Sequence, residues 1–365
     1  MAQRATCHQT PGGGERLGLV AGLALLTAAL ASPAAAAQPN RLGVACTTPP
    51  PARCAPAGCT GAPPASLGTA VDPKTGQAFF LDYPCDLKPG EKVVFLLSLH
   101  GANGTANGHR HYFPAMDFKE KYRLVIATPT AIMDKPVRMW TAADDAQLQN
   151  IAELVFGAFG RRNIKAFWLV GHSQGGMGSN RVVCNDYFKN KVDGWLSLSG
   201  GRIGAVKIAD NFGPPRPAGA PPAPVPGAGT PFEIKFGVAD PPACDISYIF
   251  ETGDQEITGG LPTTSPWAEK YGCGPRARRQ DVVDTRPGLT AAGPPPPGVP
   301  ANPAWGREAR PGVAQVFVFP NCKGGRLVAD VLRLDKGHTE GMEPRITEEL
   351  IRMMIAAPGG KAQKG

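Results

Sequence analysis

The stretch Ala166-Phe167-Trp168-Leu169-Val170-Gly171-His172-Ser173-Gln174-Gly175-Gly176 decides how the rest of the chain is read. Ala166 to Val170 is a short apolar run of strand length, and Gly175 to Asn185 reads as a helix. Between them lies G-x-S-x-G, which matters only in that setting. A tight strand-to-helix turn pushes a serine out at the carboxyl end of a sheet, and the small residues around it let strand and helix touch. Ser173 is therefore the candidate nucleophile.

Working outward, Val93 to Leu97, Leu124 to Ala127, Gly194 to Ser199, Ile246 to Phe250, Val313 to Phe319 and Leu327 to Leu334 read as further strands. Asp144 to Phe159 has helical spacing at Leu148, Ile151, Leu154 and Val155, with Asp144 and Gln147 suited to an N-terminal capping box. A closing helix runs from about Glu343 to Ile355. The alternation predicts an α/β fold, a mainly parallel twisted sheet with helices on both faces.

A serine hydroxyl needs a base, and an imidazole needs an acid to orient it. Of the six histidines only His338 follows Ser173, in a loop after the Leu327 to Leu334 strand. The acid is expected at a strand end between them. Asp254 in Phe250-Glu251-Thr252-Gly253-Asp254 fits that place, with Glu251 and Glu256 as local alternatives. Attack on a carbonyl creates an oxyanion that needs backbone donors. The Gln174 amide is one candidate. Ala102, in the Leu99-His100-Gly101-Ala102-Asn103-Gly104 loop, is the other. His100 is read as shaping that loop, and Trp140, Trp267 and Trp305 are candidates for a substrate wall. His109 and His111, an H-x-H pair without a third ligand, read as exposed loop histidines rather than a metal site.

Residues 1–37 read as an export signal, with Arg4 and Arg16 ahead of the apolar Leu17 to Leu30 run and Ala35-Ala36-Ala37 as a cleavage site. That run is too short for a membrane span. Eight cysteines follow it, an even number suited to disulfides in an oxidising compartment. The net charge of +8 falls to +7 without the signal, but the cations are scattered and no nucleic-acid motif accompanies them. Residues 38–90 read as an irregular Cys- and Pro-rich segment, 91–358 as one catalytic domain, and 359–365 as a flexible tail. Proline-rich insertions interrupt the domain near 205–230 and 285–304.

Taken together, the His100-Gly101 loop, Asp144-Asp145 opening a helix, the Ser173 elbow, the run Trp267-Ala268-Glu269-Lys270-Tyr271-Gly272-Cys273, and Cys322 before the strand leading to Gly337-His338 resemble the secreted polyhydroxybutyrate depolymerase and feruloyl esterase family. The resemblance spans about Val93 to Met354. It implies an α/β-hydrolase fold, ester hydrolysis through an acyl-enzyme, and a Cys273 to Cys322 bridge. His172 and Gln174 are lipase-like departures, and the two insertions are extra. The combination also resembles oxidised polyvinyl alcohol hydrolase, which cleaves a carbon-carbon bond of a β-diketone. The expected molecule is an exported monomer, periplasmic or extracellular, acting on a polymeric or small carbonyl substrate with no metal or organic cofactor. A hydrolase fold that binds without catalysing is the reading of another class.

Overall fold

Strands that are apolar on both sides need cover on both faces, and the architecture follows from that requirement. The computed structural model describes residues 40–47, 68–132, 137–217, 219, 241–289, 297–306 and 309–364. The expected export signal, Cys54, Cys59 and much of both proline-rich insertions lie outside the described residues. An 11-stranded sheet organises the chain. Its strands are β1 (Thr69–Val71), β2 (Ala78–Asp82), β3 (Val93–Leu99), β4 (Leu124–Pro129), β5 (Ile164–His172), β6 (Gly194–Leu198), β7 (Ser247–Gly253), β8 (Ala277–Arg278), β9 (Val282–Asp284), β10 (Gly312–Val318) and β11 (Val328–Leu334). The order across it is β8-β10-β11-β7-β6-β5-β3-β4-β2-β1, with β9 also paired to β10. From β11 to β4 all neighbours are parallel, and both margins are antiparallel.

The main helices are α1 (Ala106–Tyr112), α2 (Asp145–Phe159), α3 (Gln174–Val183), α4 (Pro266–Lys270) and α5 (Pro344–Ala356). Period-two alternation along the strands divides the core into two layers. Phe95, Leu97, Phe167 and Leu169 pack with Leu148, Ile151 and Val155 of α2 on one face. Val94, Leu96, Trp168 and Val170 pack with Ile346, Leu350 and Met353 of α5 on the other.

Three expectations change. Residues 38–90 are not irregular throughout, because β1 and β2 form an antiparallel margin against β4, and Phe79, Phe80 and Leu81 are buried there. A short apolar run was diluted by its proline-rich surroundings. The capping box lies earlier than Asp144 and Gln147: Thr141 accepts from the Ala143 N–H, and the Asp144 carboxylate accepts from the Thr141 N–H at 2.7 Å. Residues 359–364 are docked rather than free, with Ala362 buried and the Lys361 N–H donating to Asp193.

Disulfides join Cys46 to Cys85, Cys184 to Cys244 and Cys273 to Cys322. Among the described residues no helix is long and apolar enough to cross a membrane.

Backbones approach very closely at the β5–α3 turn. A Cβ on Gly175 would lie 2.3 Å from the Leu99 carbonyl oxygen, and one on Gly171 would lie 2.3 Å from the Gly175 carbonyl carbon. Both obstacles are backbone and cannot rotate away. Gly175→Ala is expected to destabilise the protein by about 3 kcal/mol, read as a lower urea midpoint with an unchanged m-value.

Candidate active site

Ser173 sits at the junction of β5 and α3 with φ 51° and ψ −122°, a conformation that a side chain rarely adopts. The turn is held by hydrogen bonds from the Ser173 N–H to the Leu198 carbonyl at 2.8 Å and from the Gly176 N–H to the Ser173 carbonyl at 2.9 Å. The strain is thus locked by β6 on one side and by the first helical turn on the other. Its result is a serine hydroxyl raised at the carboxyl edge of the parallel strands.

His338 reaches the same edge from the loop after β11. Its Nε2 lies 2.8 Å from Ser173 Oγ, and its Nδ1 lies 2.7 Å from Glu256 Oε2. Two donors steady the loop through its own backbone: His172 Nε2 lies 2.9 Å from the His338 carbonyl, and the Tyr112 hydroxyl donates to that oxygen at 3.3 Å.

The acid differs from the first expectation. Asp254 is not against His338; its carboxylate accepts from the Lys336 N–H and the Gln255 side chain, each at 3.3 Å. Of the two local alternatives, Glu256 occupies the position instead, and Glu251 accepts from Arg333. β7 ends at Gly253, and a single 3-10 turn over Asp254–Glu256 carries the chain round, so the third residue of the turn faces the histidine. The other carboxylate oxygen of Glu256 accepts from the Gly253 N–H at 2.8 Å and from the Ser199 hydroxyl at 2.7 Å. Burial by itself raises the Glu256 pKa, but the His338 ring and these hydrogen bonds outweigh it and hold the carboxyl below its usual range.

Of the expected oxyanion donors, Gln174 follows Ser173 directly in the chain and Ala102 belongs to the loop whose Gly101 lies against that serine. Gln174 opens α3, so its N–H has no acceptor within the helix. The His100 to Gly104 loop lies alongside: a Cβ on Gly101 would be 3.3 Å from Ser173 Cβ. Ala102 is exposed in this loop. Trp140 clamps the two segments together. Its N–H and carbonyl bond the Gln174 side chain at 2.7 and 2.9 Å, and its indole N–H donates to the His100 carbonyl at 2.8 Å.

The other sequence candidates divide. Trp140 is buried and braces the loop rather than facing substrate. His100 is buried too, accepting from the Ala131 N–H at Nε2 and bonding the Gly101 carbonyl through Nδ1. Burial lowers its pKa to about 4, so it stays neutral. Trp267 is core, with its indole N–H on the Ile246 carbonyl and its ring against Tyr271. Trp305 alone of these flanks the triad, its ring centroid 5.1 Å from that of His338. Phe212, which nothing in the sequence marked, is 4.9 Å from the same ring. His109 and His111 are neither exposed nor in a loop: both are buried on α1, and His109 Nε2 lies 2.8 Å from Ser98 Oγ. Among the described residues no group of His, Cys, Asp and Glu is arranged to hold a metal ion.

A buried ionic layer lies behind the base. Arg333 bonds Glu251 at 2.7 Å and Glu343 at 3.3 Å, and Lys336 bonds Glu343 at 2.7 Å. Burial, only partly offset by Arg333, pushes Glu251 up to about 7.

A serine at a sharp turn after β5, a carboxylate after β7 and a histidine after β11, on a mainly parallel sheet covered on both faces, make this an α/β-hydrolase fold. No protein-family model and no curated protein matches the chain. Among solved structures it is similar to an acetyl xylan esterase from Aspergillus awamori, with a TM-score of 0.45 and 13% identity over 78% of this chain and 96% of that one. It is also similar to esterase 2 of Thermogutta terrifontis, with a TM-score of 0.34 and 12% identity over 53% of this chain and 75% of that one. An alpha-beta serine hydrolase homologue from Coxiella burnetii gives 0.29 and 14% over 49% and 68%.

The buried imidazoles give a stability prediction. Burial depresses the pKa of His100, of His109 to about 3, and of His172 well below 6.5. Each binds its proton more readily when the chain is unfolded, so its contribution is complete above pH 6.5 and is lost as pH falls towards the folded value. His100→Gln keeps a donor and an acceptor without the titration. The stability difference between pH 7.5 and pH 5, from urea unfolding, is expected to shrink by about 2 kcal/mol in that variant.

Proposed function

We propose that the protein is an exported serine hydrolase that attacks acyl carbonyls through an acyl-enzyme, with a carboxylic ester of the polyester or feruloyl type as substrate. The observation that carries this reading is the continuous Ser173, His338, Glu256 hydrogen-bond chain at the carboxyl edge of the sheet. The three disulfides and the leader-like first 37 residues support export.

In this mechanism Ser173 Oγ attacks the carbonyl carbon while His338 Nε2 takes its proton. The Gln174 and Ala102 amides receive the charge that develops on the carbonyl oxygen. Glu256 accepts from Nδ1 throughout, which keeps Nε2 turned to the serine and stabilises the imidazolium. Collapse of the tetrahedral intermediate breaks the bond to the leaving group, which takes the proton from His338. Water, deprotonated by the same nitrogen, then releases the acid and restores Ser173.

The test is turnover of a p-nitrophenyl ester and of a soluble β-diketone by the protein and its variants. Ester cleavage that vanishes in Ser173→Ala is expected. Serine-dependent cleavage of the diketone alone would shift the reading to carbon-carbon bond hydrolysis. Equal rates with and without Ser173 on both substrates would remove Ser173 from the mechanism, and turnover of neither would leave a binding protein on a hydrolase scaffold. Glu256→Gln is expected to lower kcat by about 10³- to 10⁴-fold, whereas Asp254→Asn is expected to stay within about twofold. The reverse ranking would restore Asp254 as the acid.

A further inference from the structure

The two proline-rich insertions meet beside the catalytic histidine. The second ends in a turn whose Asn302 carbonyl accepts from the Trp305 and Gly306 N–H groups at 3.1 and 2.8 Å. That turn lies directly on the base loop: the His338 N–H donates to the Ala304 carbonyl at 3.1 Å, and the Thr339 N–H donates to the Trp305 carbonyl at 2.7 Å. There is no slack in the contact, because a Cβ on Gly337 would lie 2.2 Å from the Pro303 carbonyl oxygen.

Asn302 also reaches the first insertion. Its side-chain Nδ2 donates to the Asn211 carbonyl at 2.6 Å and to the Gly213 carbonyl at 2.9 Å, while its Oδ1 accepts from the Ala304 N–H at 3.0 Å. The residue between its two carbonyl partners is Phe212. The Phe212 ring meets Trp305 edge-on at 5.6 Å, and both rings flank His338. Phe212 belongs to the first insertion and Trp305 directly follows the second, and both rings are partly exposed.

We propose that Asn302 is a specificity-determining positioning residue that fastens the two insertions into one aromatic wall beside His338, selecting carbonyl substrates with a planar apolar leaving group. The side of the scissile bond follows from the chemistry: His338 hands its proton to the leaving group, so a wall built around its ring lies on the leaving-group side. An apolar face there binds planar groups by burial and offset stacking. The proposal rests on the serine-hydrolase reading above but departs from its polyester or feruloyl substrate, whose hydroxyacid or sugar leaving group is not planar, and one of its two measurements is independent of that reading.

Asn302→Asp separates the two roles of this side chain. The carboxylate still accepts from the Ala304 N–H, so the Trp305 turn is kept. It has no proton for the Asn211 and Gly213 carbonyls and repels both, which leaves only the Asn211 side-chain amide, 3.4 Å from Oδ1, as a tie to the first insertion. In the first measurement, KM for 2-naphthyl acetate is expected to rise about tenfold, with kcat and the kinetics on ethyl acetate within about twofold. An equal change on both esters, or none on either, overturns the selection. The second measurement is amide hydrogen exchange by mass spectrometry in the absence of substrate, in the full chain. Loss of protection around Phe212, with Trp305 and Gly306 unchanged, is expected in Asn302→Asp. Unchanged protection around Phe212 overturns the fastening whether or not the protein turns over esters. A wild-type protein that leaves both esters uncleaved defeats the hydrolase reading and the selection with it, while exchange still decides the fastening.

Discussion

Everything at the active edge depends on how closely two backbones approach where β5 turns into α3. The Gly175 Cα faces the Leu99 and His100 carbonyl oxygens at a distance that leaves no room for a methyl group. This contact brings the end of β3, and so the His100 loop, against the nucleophile. It also forces Ser173 into its positive φ. A strained residue of this kind survives only where the surroundings over-determine it. Here a strand carbonyl, a helical turn and Trp140 all do so.

The base is held by a different means. The chain leaves β11 through Asp335 at φ 56° and is then anchored by charge. Arg333 is fully buried between Glu251 and Glu343 and also donates to the Glu340 carbonyl, while Lys336 bonds Glu343 and the Arg310 carbonyl. Taking so many charges out of water is costly, and removing one partner of such a pair typically costs about 3–5 kcal/mol because the other is stranded. The layer is therefore poor evidence of net stability. Its effect is geometric: bonds from several directions leave the Gly337-His338 peptide one position relative to the turn after β7, which carries Glu256.

Much of this was legible in the chain because local pattern and tertiary role coincide. Val93 to Leu97 and Ala166 to Val170 are apolar without alternation, as strands covered on both faces must be, and both lie in the parallel block of the sheet. Ser173 carries its own context, and His338 has no competitor downstream. The sequence points to Asp254 instead of Glu256 as the acid because the two are two positions apart, and only the turn after Gly253 decides which of them faces inward. Nothing in single-sequence pattern encodes that turn, since its capping contact is made by Glu256 itself. Phe212 was illegible for another reason. It lies in a stretch whose composition reads as a spacer, and its place is defined by Asn302, 90 positions further along the chain.

The histidines show how burial sorts identical side chains. His100 and His172 place a ring nitrogen on a backbone carbonyl, and His109 places one on a serine hydroxyl. A carbonyl or hydroxyl does little to offset the loss of solvation that a buried imidazolium suffers, and all three are held neutral. His338 differs in having a buried carboxylate at Nδ1 and a hydroxyl at Nε2. The rings of His172, Phe212 and Trp305 lie around it, tilted or edge-on, and His338 is buried among them. In the proposed mechanism a proton drawn from Ser173 goes to Nε2, and the carboxylate at Nδ1 comes from the turn after β7, the neighbour of β11 in the parallel block.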